Sequence, residues 1–222
     1  MNVDDYLTER EQVDRIRQWW KENGAWIIVG VGGGLLALVG WNWWQGYQLQ
    51  RAEQAAAIYS VVSEAAMEER VDEVRVGLEQ LESGHAGSPY LQHSRLALAG
   101  VLARAGDFGP AVDQLQQVLD EAEDAQLQLI ARLRMARVLL AAGELERALE
   151  VAQGGQAGVF AAPLREVEGD VLARQGDVAG ARAAYEDALA DAAAHGGVID
   201  EALVRLKLES LGPAADEGSD AS

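Results

Sequence analysis

The sequence contains no cysteine and only four prolines among its 222 residues. Without cysteine the chain has no disulfide, no thiolate nucleophile and no cysteine-ligated zinc or iron–sulfur site. So few prolines exclude a collagen-like or proline-rich chain. Basic residues are also scarce, since 18 lysines and arginines stand against 36 acids and the net charge is −18. We therefore expect no nucleic-acid partner, because a nucleic-acid backbone would repel most of the molecule.

Sequence motifs that carry catalysis or bind a cofactor are missing as well. The three histidines are scattered without metal-ligand spacing, and no G-x-S-x-G motif is present. The glycines at 30–34 follow an apolar segment, as in a dinucleotide-binding turn. That motif, G-x-G-x-x-G, requires a third glycine where this chain has Leu35. We predict neither enzymatic activity nor a metal or organic cofactor.

An uncharged segment lies near the N-terminus. No residue between Glu22 and Arg51 is charged, and within residues 24–44 only Asn42 is strongly polar. A helix needs roughly 20 apolar residues to cross the hydrocarbon core of a bilayer. Tryptophan, which prefers the headgroup layers, flanks both ends of the segment, at positions 19, 20, 26, 41, 43 and 44. The pattern predicts one transmembrane helix at residues 24–44.

A cleaved signal peptide is the alternative for this segment. Signal peptides begin with a short basic region, whereas residues 1–23 are long and carry six acids. We therefore favour a retained anchor. Four lysines and arginines precede the span, and within about 20 residues after it only Arg51 appears. The positive-inside rule then predicts a cytoplasmic leader at 1–23, with the bulk of the chain across the membrane, which in a bacterium is the periplasm.

Two glycines in the span, Gly30 and Gly34, form a G-x-x-x-G motif. Such small residues allow another helix to approach closely within a bilayer, so both are candidates for packing against a membrane partner. The alternative is that glycine is simply common in membrane spans. The motif alone identifies no partner, and the oligomeric state stays unknown.

The rest of the chain carries a repeat. From residue 48 onward it is rich in alanine, leucine, arginine and glutamate, which favours helices throughout. A glycine followed by an acid, with alanine five residues after the glycine, recurs with periods of 37 and 33 residues, as LARAGDF at 102–108, LLAAGEL at 139–145 and LARQGDV at 172–178. The glycine ends one helix in a left-handed conformation, the acid opens the next, and the alanine allows the two to touch. These periods resemble the 34 residues of a tetratricopeptide unit.

The predicted stack has irregular ends and one interruption. Residues 50–83 hold two helical patterns, a candidate degenerate first unit, and glycines at 154–158 shorten the second hairpin. Ile199 to Glu209 predicts a capping helix that closes the core with a polar outer face. We assign residues 45–211 to an exported repeat domain and predict a disordered acidic tail at 212–222.

The inner face of a helical array is where repeat proteins usually bind peptides. Registering the repeats by their alanines directs six candidate partner-binding residues to that face: His93, Arg104, Arg137, Leu140, Asp170 and Arg174. The alternative for each arginine is an ion pair with a neighbouring carboxylate, which a chain with twice as many acids as bases favours.

Short phrases at both ends of the span and in the repeats carry a closer resemblance. They are ENG at 22–24, VGW at 39–41, LRMARV at 133–138, QGD at 175–177 and GAR at 180–182. With them, nearly the whole chain resembles the YfgM family of ancillary SecYEG translocon subunits. The resemblance implies an all-α bacterial inner-membrane protein, in which a single N-terminal transmembrane helix precedes a tetratricopeptide-like helical-hairpin solenoid.

The same resemblance implies partners. It implies association with the SecYEG translocon and with the membrane-bound periplasmic chaperone PpiD, and a role in the handover of secreted polypeptides. A periplasmic tetratricopeptide adaptor for cell-envelope or division machinery is the alternative.

Overall fold

The computed structural model describes residues 3–155, 158–196 and 199–212, with side chains from residue 13 onward. Within these ranges the regular structure comprises nine α-helices and one short 3-10 helix, without a β-strand. The prediction of an all-α chain is confirmed. The chain divides into two compact units, Met1–Gln54 and Ala55–Ser222. The boundaries expected after residues 23, 44 and 211 stay predictions, and residues 213–222 of the expected tail lie outside the described ranges.

Helix α1 covers Val3–Met67 and contains the predicted span. Its segment Val13–Met67 is, in the described part of the chain, the one helix long and apolar enough to cross a membrane. Its large apolar side chains lie on the outside: Trp26 is 79% exposed and Leu36 is 76% exposed. Such a surface suits the hydrocarbon core of a bilayer, where apolar side chains need no protein cover.

The second unit consists of successive helices joined by short turns, each packed on its neighbours. The last part of α1 pairs with α2, α3 with α4, α5 with α6, and α7 with α8, while α9 packs on α8. The bounds are α2 Val71–Gly84, α3 Pro89–Ala105, α4 Phe108–Glu121, α5 Ala125–Ala142, α6 Leu145–Gln153, α7 Ala161–Gln175, α8 Val178–His195 and α9 Glu201–Ser210.

The recurring glycines close α3, α5 and α7 as predicted. Gly106, Gly143 and Gly176 have φ angles of 85°, 81° and 85°. At the first of them, the Gly106 and Asp107 amides donate to the carbonyls of Ala103 and Leu102, at 3.2 and 2.9 Å. This is the hydrogen-bond pattern of a Schellman motif, and it satisfies carbonyls that the helix end leaves without partners.

The acid after each glycine stands at the start of the next helix, also as predicted. Only Asp177 uses its side chain as a cap, accepting from the Gly180 amide at 2.9 Å. Asp107 and Glu144 make no side-chain cap hydrogen bond. What these two contribute at the helix start is therefore their negative charge near the positive end of the helix dipole.

The small residues predicted between paired helices are fully buried. Ala111, Ala148 and Ala181 have no exposed surface. Gly169 on α7 lies against Tyr185 on α8, and a Cβ at Gly169 would come within 2.5 Å of the tyrosine ring. The third hairpin thus pairs a glycine with a large aromatic side chain, where a side chain on both helices would not fit.

The candidate first unit is a helical hairpin of the same kind. Helix α1 ends at Met67, and Glu69 turns the chain with a φ of 58° before α2 begins. The two helices touch closely, because a Cβ at Gly77 would lie 2.3 Å from Val62 Cγ2. The two helical patterns expected within residues 50–83 are therefore present as a helical hairpin.

The predicted interruption after the second hairpin is also present. Helix α6 has only nine residues, and a 3-10 helix at Gly158–Phe160 precedes α7. The expected glycine stretch at 154–158 is partly undescribed, since residues 156–157 lie outside the described ranges. At the far end, α9 forms the predicted cap: Asp200 accepts from the Leu203 amide at 3.1 Å, and Val204 is fully buried beside Tyr185.

Candidate partner-binding groove

The first helices of successive hairpins line an open groove of about 480 Å³, which we call the inner groove. Its walls come from the end of α1, from α3 and from α5, with Leu115 contributed by α4. The floor near the middle is made of small residues, Ala97, Gly100 and Ala103, which leave space above α3. The remaining lining residues are Ser63, Ala66, Met67, Leu96, Ala99, Arg104, Leu115, Arg134, Arg137 and Val138.

Arg104 stands at one edge of the inner groove and binds the hairpin before it. Its Nη2 donates to the Ala66 carbonyl at 3.0 Å, and its Nε donates to Glu69 Oε1 at 2.8 Å. Ala66 lies in the last turn of α1, where carbonyls lack helical donors and carry the negative end of the helix dipole. The ion pair that the sequence left open for this arginine is therefore formed, although half of the side chain stays exposed.

Two arginines of α5, Arg134 and Arg137, also line the groove. Arg134 donates from Nη1 to the Leu96 carbonyl at 3.2 Å. Burial of part of its guanidinium lowers the pKa of Arg134, while the neighbouring Tyr59 acts in the opposite direction. Arg137 is exposed and makes no hydrogen bond or ion pair with any described residue. The groove lining thus holds three arginines and no acidic residue.

Arg174 on α7 makes a backbone contact with α5 that matches the contact of Arg104 on α3 with α1. Its Nη1 donates to the Leu140 carbonyl at 2.7 Å, again a carbonyl in the last turn of a preceding first helix. Arg104 and Arg174 hold the same position in the recurring phrase, two residues before its glycine. On α5 the same position is Ala141. There Arg134, from an earlier turn of α5, donates to the Leu96 carbonyl of α3 instead.

His93 lies in an aromatic cluster between α1 and α3. Its ring centroid is 6.0 Å from that of Tyr59, which stacks on Tyr90 at 5.2 Å. Tyr59 also acts on the charge of Arg134. His93 lies four residues before Ala97 on α3 and so shares the helix face that lines the inner groove, although it is not part of the lining.

Asp170 belongs to a polar cluster that joins α7, α8 and α9. It accepts from the Tyr185 hydroxyl at 2.8 Å, and Lys207 Nζ lies 2.8 Å from Asp170 and 2.7 Å from Glu166. Burial, and then the hydrogen bond and charge of Asp170, raise the pKa of Tyr185. Burial acts to lower the pKa of Lys207, but the two carboxylates together outweigh it and the pKa is raised. These contacts attach the capping helix.

The structure thus separates the six predicted residues. Arg104 and Arg137 share the inner groove, and His93 lies beside it. Leu140 is buried in the core and offers only its backbone carbonyl, to Arg174. Asp170 accepts hydrogen bonds from Tyr185 on α8 and from Lys207 on the capping helix α9. Sequence analysis missed Arg134, although its place one helical turn before Arg137 was a signal that both lie on one face of α5.

Gly30 and Gly34, the candidates for packing in the membrane, lie in the exposed part of α1. A Cβ added to either would meet no atom within 4 Å. Elsewhere, no group of three histidine, cysteine, aspartate or glutamate side chains comes together as a metal site within the residues that the structure describes.

Comparison with known proteins identifies relatives along most of the chain. Residues 17–213 match the family described as Tetratricopeptide repeat-like domain. A relative named Ancillary SecYEG translocon subunit, from Escherichia coli (strain K12), is 30% identical over 181 residues, which are 82% of this chain and 87% of the relative. Proteins of the same name from Haemophilus influenzae and Neisseria gonorrhoeae are 26% and 27% identical and cover 92% and 93% of this chain, and 98% of each relative. No solved structure matches the chain.

Proposed function

Because the chain belongs to the family of ancillary SecYEG translocon subunits that carry a tetratricopeptide repeat-like domain, we propose that it is a membrane-anchored, non-enzymatic scaffold of the SecYEG translocon. The observation that carries this proposal is the likeness to translocon subunits over more than four fifths of the chain. The exposed apolar segment of α1 supports it, because a subunit of a membrane channel needs a surface that lipid or another span can cover.

In this proposal the protein crosses the bacterial inner membrane once. The four basic residues before the span, against Arg51 after it, favour a cytoplasmic N-terminus and a periplasmic repeat domain. Gly30 and Gly34 then face a transmembrane helix of the channel, since small residues permit close helix contacts in lipid.

The repeat domain supplies the second contact. The inner groove is open, largely apolar in its floor and edged by arginines, which suits a segment of another protein. We propose that it receives the periplasmic chaperone PpiD or an emerging polypeptide and so assists handover from the channel. The proposal involves no cofactor and no metal.

Photo-crosslinking in intact cells tests both contacts. A photoreactive residue at Gly34 is compared with one at Val39, which lies about half a helical turn around the same span. In the repeat domain, position 137 in the groove is compared with position 75 on α2, where an arginine is also exposed and has no described partner. We expect channel adducts from position 34 and chaperone or nascent-chain adducts from position 137.

The controls decide what a failure means. Channel adducts that are equally strong at 34 and 39 would contradict a specific helix face. If no channel or chaperone component were captured from the span or the groove, and envelope or division enzymes were captured instead, the protein would be an adaptor for that machinery. A reporter enzyme fused after Ser222 that is active only in the cytoplasm would overturn the proposed orientation.

A further inference from the structure

The charge of the inner groove is opposite to that of the molecule. The chain carries twice as many acids as bases, yet the groove lining contains Arg104, Arg134 and Arg137 and no acidic residue. Glu69, which binds Arg104 from the edge, balances only one of these three charges. A cleft of one sign concentrates partners of the other sign, and here the surrounding negative surface repels such partners from other sites.

These arginines still have hydrogen-bonding capacity. A guanidinium has five donors, and the described contacts use one from Arg134, two from Arg104 and none from Arg137. The backbone bonds to Leu96 and Ala66 hold two of the side chains in place without neutralising them. Partial burial of the Arg134 guanidinium also lowers the pKa of this side chain.

The shape of the groove selects among anions. Ala97, Gly100 and Ala103 provide an apolar floor, and the volume of about 480 Å³ is much larger than a single carboxylate or phosphate needs. An apolar floor below several guanidinium groups fits a polypeptide segment, whose backbone lies on the small residues and whose acidic side chains reach the arginines. A nucleic acid is disfavoured by the net charge of −18 around the groove.

We propose that the inner groove binds an acidic segment of a partner protein, with aspartate or glutamate side chains paired to Arg137 and Arg134. This inference rests on the proposed function of the groove as a docking site and adds the chemistry of its ligand. Arg137 supplies the main charge for recognition because it has no partner among the described residues.

The test uses the full-length protein in detergent micelles and two fluorescein-labelled peptides of twelve residues. One peptide alternates alanine with glutamate and aspartate, and the other carries glutamine and asparagine in their place. Binding is followed by fluorescence anisotropy at low and physiological salt. We expect the acidic peptide to bind at least roughly tenfold more tightly, because hydrogen bonds to charged groups are the stronger ones and the amides cannot form ion pairs.

Two variants locate the binding. Arg137→Glu should weaken binding of the acidic peptide roughly tenfold or more, since it replaces attraction with repulsion. Arg75→Glu is the matched control: it makes the same charge change at an exposed arginine without a described partner on α2, outside the inner groove. It should change the affinity by no more than about twofold.

Three results would overturn the proposal. They are equal affinity for the acidic and the amide peptide, equal losses in the two charge-reversal variants, and a tenfold gain in affinity when residues 213–222 are removed. The last result would assign the groove to the acids of the chain's own C-terminal segment. None of these results affects channel crosslinks from Gly34, so failure here is distinguishable from failure of the proposed function.

Discussion

Helix α1 before residue 55 and the repeat domain after it use the same apolar residue types in opposite ways. Leu36 in the span is 76% exposed, whereas Leu139 in the repeat domain has no exposed surface. The span is apolar on all sides over some 20 residues, which indicates a helix with lipid all around it. The repeat helices bury selected positions against their neighbours, so that the protein itself provides the cover. Composition alone therefore does not decide whether protein or lipid covers a leucine.

The core leucine gives the largest test of this difference. Leu139→Ala should destabilise the repeat domain by about 2–5 kcal/mol, because it removes buried methyl groups and leaves a cavity. Leu36→Ala is the matched change in the span and should leave the unfolding free energy of the repeat domain unchanged. Denaturant unfolding of the full chain in detergent, followed by circular dichroism, measures both. Equal losses would mean that the repeat domain depends on the span for its stability.

A charge in the span should break its fit to lipid. Leu35→Arg should disfavour membrane insertion by about 2.5–3.5 kcal/mol, the cost of a charged side chain near the centre of a span. Gln48→Arg, beyond the predicted span in the same helix, is the control and should insert normally. Carbonate extraction and flotation of membranes report insertion. Full retention of the Leu35→Arg protein would argue against residues 24–44 as the span.

A cation is tolerated in the repeat domain because carboxylates surround it. Lys207 touches Glu166 and Asp170, both mostly buried, so Lys207→Met leaves two acids without their cation. We expect a loss of about 1–3 kcal/mol, against at most about 0.5 kcal/mol for Arg205→Met, which breaks an exposed pair on the same helix. Unfolding of both variants measures the difference.

The effect of Lys207 should depend on pH in a defined direction. Its pKa is raised in the folded protein. Its contribution is therefore complete below the unfolded-state pKa of about 10.4 and is lost as the pH rises through the folded-state value. The stability gap between the unaltered chain and Lys207→Met should stay constant from neutral pH to about pH 10 and then narrow. A gap that widens above pH 10 would contradict the assigned contacts.

Glycines provide the smallest contrast. Gly106→Ala forces a left-handed φ of 85° on a residue with a Cβ and should cost about 1 kcal/mol. Gly32→Ala, in the open and helical part of α1, should not change unfolding of the repeat domain. An equal effect of both changes would show that the hairpin turn is not what requires glycine at 106.

Local signals predicted most of the fold. The glycine and acid of each phrase mark a helix end and a helix start because both act within one turn of backbone. Asp200 similarly places the start of α9, two residues after the predicted one. The site was less predictable. Leu140 and Arg137 were assigned to the inner face by the same register, yet Leu140 is buried and Arg137 is exposed. Residues three apart share a helix face, but their burial depends on how neighbouring helices cover each turn, which the register does not state.

Contacts between distant segments could not be predicted from spacing. Arg95 is buried and pairs with Glu82 and Glu121, which lie on two different helices. Among the described contacts, Arg174 donates to the carbonyl of Leu140, 34 positions earlier, and not to a neighbouring carboxylate. Such partners depend on how the hairpins stack. Because the chain has 36 acidic residues, the sequence offers each arginine many possible partners and does not single out one.

The sequence by itself determined the helices, their turns, the apolar segment of α1 and the excess negative charge, since each follows from residues close together in the chain. Only the tertiary structure decided that three arginines from two helices meet in one groove without an acidic residue in its lining. The physical reason is that a local signal acts within a few residues, whereas the charge of a groove is the sum over helices that only packing brings side by side.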